Sequence, residues 1–202
     1  MKTRKMKNKL KNLLDFVKFT HEFREVIRVA RSPGNERYEN DTEHSYQLAM
    51  IAWYIIETNK LDYDRELILM YALAHDLVEV YAGDTYTFDK NTSYIDTKKK
   101  REKEALKKIK SRFPKFKSLV KIIEKYEHRK DDESKFVYAI DKLIPPIQIY
   151  MEKGKLWHEK GVTFDQLLKN KGDKIAISPE INCYWKELCD ILKKNQSKLF
   201  PK

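Results

Sequence analysis

The sequence is short of the residues that punctuate a chain, with 5 glycines and 6 prolines in 202 residues. That scarcity argues against a turn-rich sandwich or barrel and for long helices. It holds two cysteines, Cys183 and Cys189. A disulfide framework is excluded, and a reducing, cytoplasmic setting is the expectation. Long apolar runs are missing as well. The basic start (MKTRKMKNKLKN) lacks the apolar segment of a secretory leader. The uncharged stretch from His44 to Ile56 contains His, Gln and Ser, and falls far short of the roughly 20 apolar residues a membrane span needs.

What the sequence does have is charge and aromatic bulk. Hydrophobic residues make up 41%, aromatics 12% and charged residues 36%, enough apolar material for a core. Lys and Arg total 42 against 31 acids, a net charge of +11, yet only 9 of the 42 are Arg. A lysine-dominated excess reads first as a solvated surface, because Arg rather than Lys makes the planar, two-pronged contacts with phosphates and bases. Steering of anionic small substrates and a nucleic-acid face are the narrower alternatives.

Apolar spacing predicts helices over Leu10–Val29, Glu43–Thr58, Asp62 or Asp64 to Val80, Thr97–Arg112, Lys115–Arg129, Phe136–Tyr150, Thr163–Lys171 and Pro179–Lys194. Ser32-Pro33-Gly34 should end the first of these, and Asp41 or Thr42 should cap the second. Pro145-Pro146 should interrupt or bend the sixth. The charged segment Thr97–Arg112 reads as a solvated helix, Asp84–Ser93 as a polar loop, and Trp157-His158 as part of a connector. With no strand-like alternation, the expectation is an all-α, single domain over residues 1–202. In it, residues 151–202 form a C-terminal helical extension.

Among the five histidines, two stand out. His44 opens the most apolar helix, and His75 is followed directly by Asp76 in an otherwise apolar run. Such a pair is costly to bury unless something compensates it, and a divalent ion would do so. Successive helical residues point about 100° apart, so His75 and Asp76 can approach one ion from two sides, with His44 as a third ligand. Asp141, an acid in an apolar helix, is either a fourth ligand or a surface charge beside Lys142. His128 reads as exposed, and the role of His21 is open.

The stretch Ala74-His75-Asp76-Leu77-Val78-Glu79-Val80-Tyr81-Ala82-Gly83-Asp84-Thr85, with Glu43-His44-Ser45 before it and Asp141-Lys142-Leu143 after it, resembles the HD-domain metal-dependent phosphohydrolases. It is most similar to their small 5'-deoxynucleotidase branch, over about Phe16 to Tyr150. The resemblance implies an HD-type helical bundle with a metal site between central helices. It implies His44, His75, Asp76 and Asp141 as ligands of one divalent ion (Mn, Co, Fe, Ni, Zn or Mg), which would activate water and polarise a phosphoryl group. Glu79 and Asp84 become the catalytic residues, Glu79 moving a proton or orienting water. Asp84, Thr85 and Thr87 line the nucleotide site, and Arg31 or Arg37 holds the phosphate. Ser32 stands where that branch has an aromatic residue, so selection for deoxyribose is not implied. The expected reaction releases nucleoside and phosphate from a (deoxy)nucleoside 5'-monophosphate, and the expected assembly is a homodimer. Two other readings are an HD phosphohydrolase acting on another nucleotide, such as a triphosphate, and a basic nucleic-acid-binding module using the Lys98–Arg112 face.

Overall fold

The computed structural model describes residues 2–31, 34, 37–88 and 92–201. The chain is essentially all-α, as expected, with one departure near its start. Helix α1 (Lys2–Arg24) stops well before Val29, and Ile27–Arg31 is an extended strand, β1. It pairs antiparallel with β2 (Tyr38–Asn40), placing Ile27 opposite Asn40 and Arg31 opposite Tyr38. The β-branched residues Val26, Ile27 and Val29 favour extended backbone over helix. Ser32 and Pro33, expected to end the helix, lie outside the described residues.

Helix α2 (Asp41–Asn59) is capped by Asn40 rather than by Asp41 or Thr42. The Asn40 side chain accepts from the Glu43 N–H, and the Glu43 carboxylate accepts from the Asn40 N–H. This reciprocal box satisfies two backbone donors at the helix start. The helix expected up to Val80 is divided: α3 (Arg65–Ala74) ends at a turn over 75–78, and a short α4 (Glu79–Ala82) follows. Gly83 then takes a positive φ of 72°, and a Cβ there would lie 2.9 Å from the Tyr94 hydroxyl. Helix α5 (Thr92–Asp96) begins inside the segment expected to be a loop.

Helix α6 (Lys98–Arg112) is not merely a solvated rod. Ala105 and Ile109 are fully buried against Phe19 and Phe23 of α1, Leu77, Val78 and Ala82, and Leu119 and Ile123 of α7 (Lys117–His128). Arg112 fastens this layer to α1 through Asp15 at 2.8 Å and Glu22 at 2.6 Å.

Helix α8 (Asp132–Met151) is the central element, continuous through Pro145 and Pro146. It packs against α2, α3, α7 and β1, and also against α10 (Phe164–Ala176) and α11 (Pro179–Lys194). The expected connector around Trp157 is a helix, α9 (Lys155–Lys160). Trp157 is fully buried there and stacks on Phe200, just after α12 (Gln196–Leu199), with ring centroids 4.3 Å apart. One core therefore runs from Leu48 on α2 through α8 to Phe200. Among the described residues, no helix is long and apolar enough to cross a membrane.

Candidate metal centre

Three helices, α2, α3 and α8, meet at one buried point. His44 comes from the first turn of α2, His75 and Asp76 from the turn after α3, and Asp141 from the middle of α8. His44, His75 and Asp141 are buried, and their ligand atoms all lie within 4.8 Å of one another. His44 Nε2 is 3.0 Å from Asp141 Oδ1, and His75 Nε2 is 4.0 Å from the same oxygen and 2.9 Å from Asp76 Oδ2. The four residues singled out as ligands in the sequence are therefore together.

The His75 ring is oriented from its far side. Its Nδ1 donates to the Ala72 carbonyl oxygen at 3.0 Å, so that in the neutral ring the lone pair is on Nε2. That Nε2 is buried and makes no hydrogen bond, although carboxylate oxygens crowd it. A lone pair among carboxylates is poorly placed for protein hydrogen bonds and well placed for a shared cation. The donor set of two imidazoles and two carboxylates fits a divalent ion of intermediate softness.

The charges around the point balance locally. Burial opposes ionisation of Asp76, but His75 and Arg28 outweigh it and hold the carboxyl below the ordinary range. Burial likewise opposes ionisation of Asp141, and Lys142, at 2.5 Å, together with His44 holds it low. Burial and Arg28 push His44 down, while the Asp141 and Glu39 carboxylates outweigh them and hold it above its ordinary value.

A cleft opens over this point, lined by Arg28, Asp76, Glu79, Asp84, Thr85 and Asp141 among others, with a water-accessible volume of about 90 Å³. Asp84, Thr85 and Thr87 line this cleft. Tyr86 and Phe88 add aromatic rings. Arg101 of α6 holds this wall, donating to the Ala82 carbonyl, to Thr85 Oγ1 at 2.7 Å and to the Tyr94 carbonyl at 3.0 Å. Glu79 is buried with Oε2 unpartnered and Oε1 3.6 Å from Lys98 Nζ. Burial, then Asp76 and Asp41, raise its carboxyl well above the usual range.

Arg31 and Arg37 are not in the cleft. Arg31 pairs with Glu159 of α9 at 2.8 Å and lies over the Tyr38 ring. Arg37 grips the capping carboxylate of Glu43 at 2.7 Å on the surface. The arginine at the site is Arg28, on β1. Its guanidinium reaches Asp76 at 2.8 Å, Asp41 at 2.9 Å and Glu39 at 3.3 Å. Sequence reasoning missed it because β1 read as helix. Asp41 was missed too, since an acid at a helix start looks like a cap; it is fully buried. Burial, then Asp76, push its carboxyl up to about 7 against the pull of Arg28.

The HD domain family matches residues 20–182 of the chain. No curated protein sequence matches it. A predicted metal-dependent phosphohydrolase from Magnetospirillum magnetotacticum MS-1 is similar in structure, with a TM-score of 0.81, 25% identity and coverage of 95% of this chain and 96% of that one. A conserved hypothetical protein from Pyrococcus furiosus aligns with a TM-score of 0.62 at 22% identity, over 90% of this chain and 99% of its own. A Pyrococcus horikoshii OT3 protein aligns with a TM-score of 0.59 at 19% identity, over 88% and 98%. These two likenesses concern the fold alone. With the match spanning most of its length and covering all four candidate ligands, the chain belongs to the HD domain family.

Proposed function

We propose that the chain is a metal-dependent phosphohydrolase acting on (deoxy)nucleoside 5'-monophosphates. The observation that carries this reading is the buried, unpartnered His75 Nε2 set among three further donors at the floor of a polar cleft. The description of the Magnetospirillum protein as a phosphohydrolase is in keeping with it. His44, His75, Asp76 and Asp141 hold the ion. A divalent cation in such a set supplies Lewis acidity toward phosphoryl oxygen and acidifies water.

The remaining work falls to the side chains of the chain. Water oxygen joins phosphorus, the ester P–O bond breaks, and the nucleoside oxygen leaves with a proton. Glu79, buried in the wall with a free Oε2, is placed to exchange that proton. Arg28, at the cleft wall, holds Asp76 and Asp41 in place. Asp84 and Thr87 offer hydrogen bonds to sugar hydroxyls, and Tyr86 and Phe88 offer ring faces to a base.

The test uses protein stripped of metal and reconstituted with Mn, Co, Fe, Ni, Zn or Mg in turn. Phosphate release is measured from deoxy- and ribonucleoside monophosphates and triphosphates. The proposal expects at least one ion to restore release from monophosphates. Release from triphosphates alone would move the protein to the broader phosphohydrolase reading. No release with any ion would remove both.

The same proposal includes a homodimer in the cytoplasm. Support for the dimer comes from an exposed apolar face away from the cleft: Tyr46, Met50, Trp53 and Tyr54 on α2, with Leu69, Met70 and Leu73 on α3. Tyr46, Met70 and Leu73 also line an apolar groove of about 720 Å³ between α1, α2, α3 and α7. An apolar face of this extent is uncommon on a lone monomer.

A further inference from the structure

The family's motifs account for one side of the cleft. The other side is built by α8 beyond Asp141 and by the C-terminal helices, through Pro145, Ile149, Leu156, Trp157, Leu167 and Lys171. Five of these six are apolar, and the sixth is a lysine. Lys171 of α10 is only 6% exposed, and among the described residues its ammonium has neither an ion-pair nor a hydrogen-bond partner.

The other cations lining the cleft are differently situated. Arg28 is held by Glu39, Asp41 and Asp76. Lys98 lies 3.6 Å from Glu79 and 3.2 Å from Glu102, and Lys142 lies 2.5 Å from Asp141. Each has its counter-charge from the chain. Lys171 has none, and a buried cation is normally paired. Burial, then repulsion from Lys142, with that from Lys174 and Arg28, outweigh the attraction of Asp141 and draw its ammonium down to about 7.

We infer that Lys171 is a substrate-anion contact, completing its ion pair with a phosphate oxygen that enters the cleft. The identity of the anion rests on the phosphate-ester reading above; the unpaired ammonium itself does not. The C-terminal helices then do more than brace the bundle, since they supply the cationic end of the binding site. An anion at Lys171 also raises the ammonium's proton affinity, so binding takes up a proton near neutral pH.

The experiment measures inorganic phosphate binding by calorimetry to wild-type protein, Lys171→Met and Lys171→Arg, each loaded with the same divalent ion. Phosphate affinity should fall about tenfold or more in Lys171→Met, for loss of a charge-assisted contact, and recover in large part in Lys171→Arg. For whichever nucleotide the wild type hydrolyses, KM should rise more than kcat falls. Acylation of the wild-type Lys171 amine, read by peptide mass, should be slowed by phosphate. This arm serves even if Lys171→Met fails to fold. Unchanged phosphate affinity in a folded Lys171→Met, acylation indifferent to phosphate, or no phosphate binding by the wild type would each overturn the inference. Lys171-dependent phosphate binding in a protein that hydrolyses no nucleotide would leave it standing and remove the proposed function. Hydrolysis that is indifferent to Lys171 would do the reverse.

Discussion

At the scale of single residues, the centre depends on carboxylates held in unequal protonation states. Glu79→Gln keeps the shape and removes the exchangeable proton, so turnover should fall by about 100- to 10,000-fold while metal content, measured by elemental analysis, is retained. Arg28 compensates three carboxylates at once, and its side chain is largely buried. Arg28→Met leaves them facing one another, and denaturant unfolding of the metal-free protein should show a loss of about 3–5 kcal/mol. Asp41 gives a pH signature. Its carboxyl is raised from 3.8 to about 7 in the folded chain. The folded state therefore binds the extra proton, and the stability from this group is present below about 4 and lost as pH rises through about 7. Metal-free Asp41→Asn should lose that part of the decline, seen as a flatter melting temperature between those pH values than in the wild type. The four candidate ligands were readable in the sequence: His75 and Asp76 as a costly pair in an apolar run, His44 at the start of the most apolar helix, and Asp141 through the family resemblance. Arg28 and Asp41 were not, because one sat in a segment read as helix and the other imitated a cap.

At the scale of elements, spacing located the long helices but misjudged where they stop. Period-3.6 spacing continued through Val26, Ile27 and Val29, and only their β-branching marked the strand that carries Arg28. In α6 the apolar signal is just Ala105, Leu106 and Ile109, too sparse to reveal a buried face beside so many lysines. That helix matters to the cleft through Arg101, which ties Ala82, Thr85 and Tyr94 together and lies over the Tyr94 ring, 3.7 Å from its centroid. Arg101→Ala should release these contacts. Amide exchange in residues 82–88 should accelerate, and KM should rise for whichever nucleotide is hydrolysed, while the metal stays bound.

At the scale of the whole molecule, the C-terminal third was the least legible part. Trp157 and Lys171 carry no motif: Trp157 is covered by Phe200 after α12, and Lys171 lies on α10 where it packs against α8. The dimer we propose would form through the exposed face of α2 and α3. Leu73 is 56% exposed, so Leu73→Asp should leave the fold intact while sedimentation shifts from a dimeric to a monomeric species. A last consequence follows from the early stop of α3. Had the spiral run one turn further, the amide of residue 76 would have claimed the Ala72 oxygen. Because it does not, that oxygen is left over for an imidazole. An interruption in the backbone thus selects the tautomer of a ring, and grafting the His-Asp pair onto an unbroken helix would carry the letters across without the lone pair.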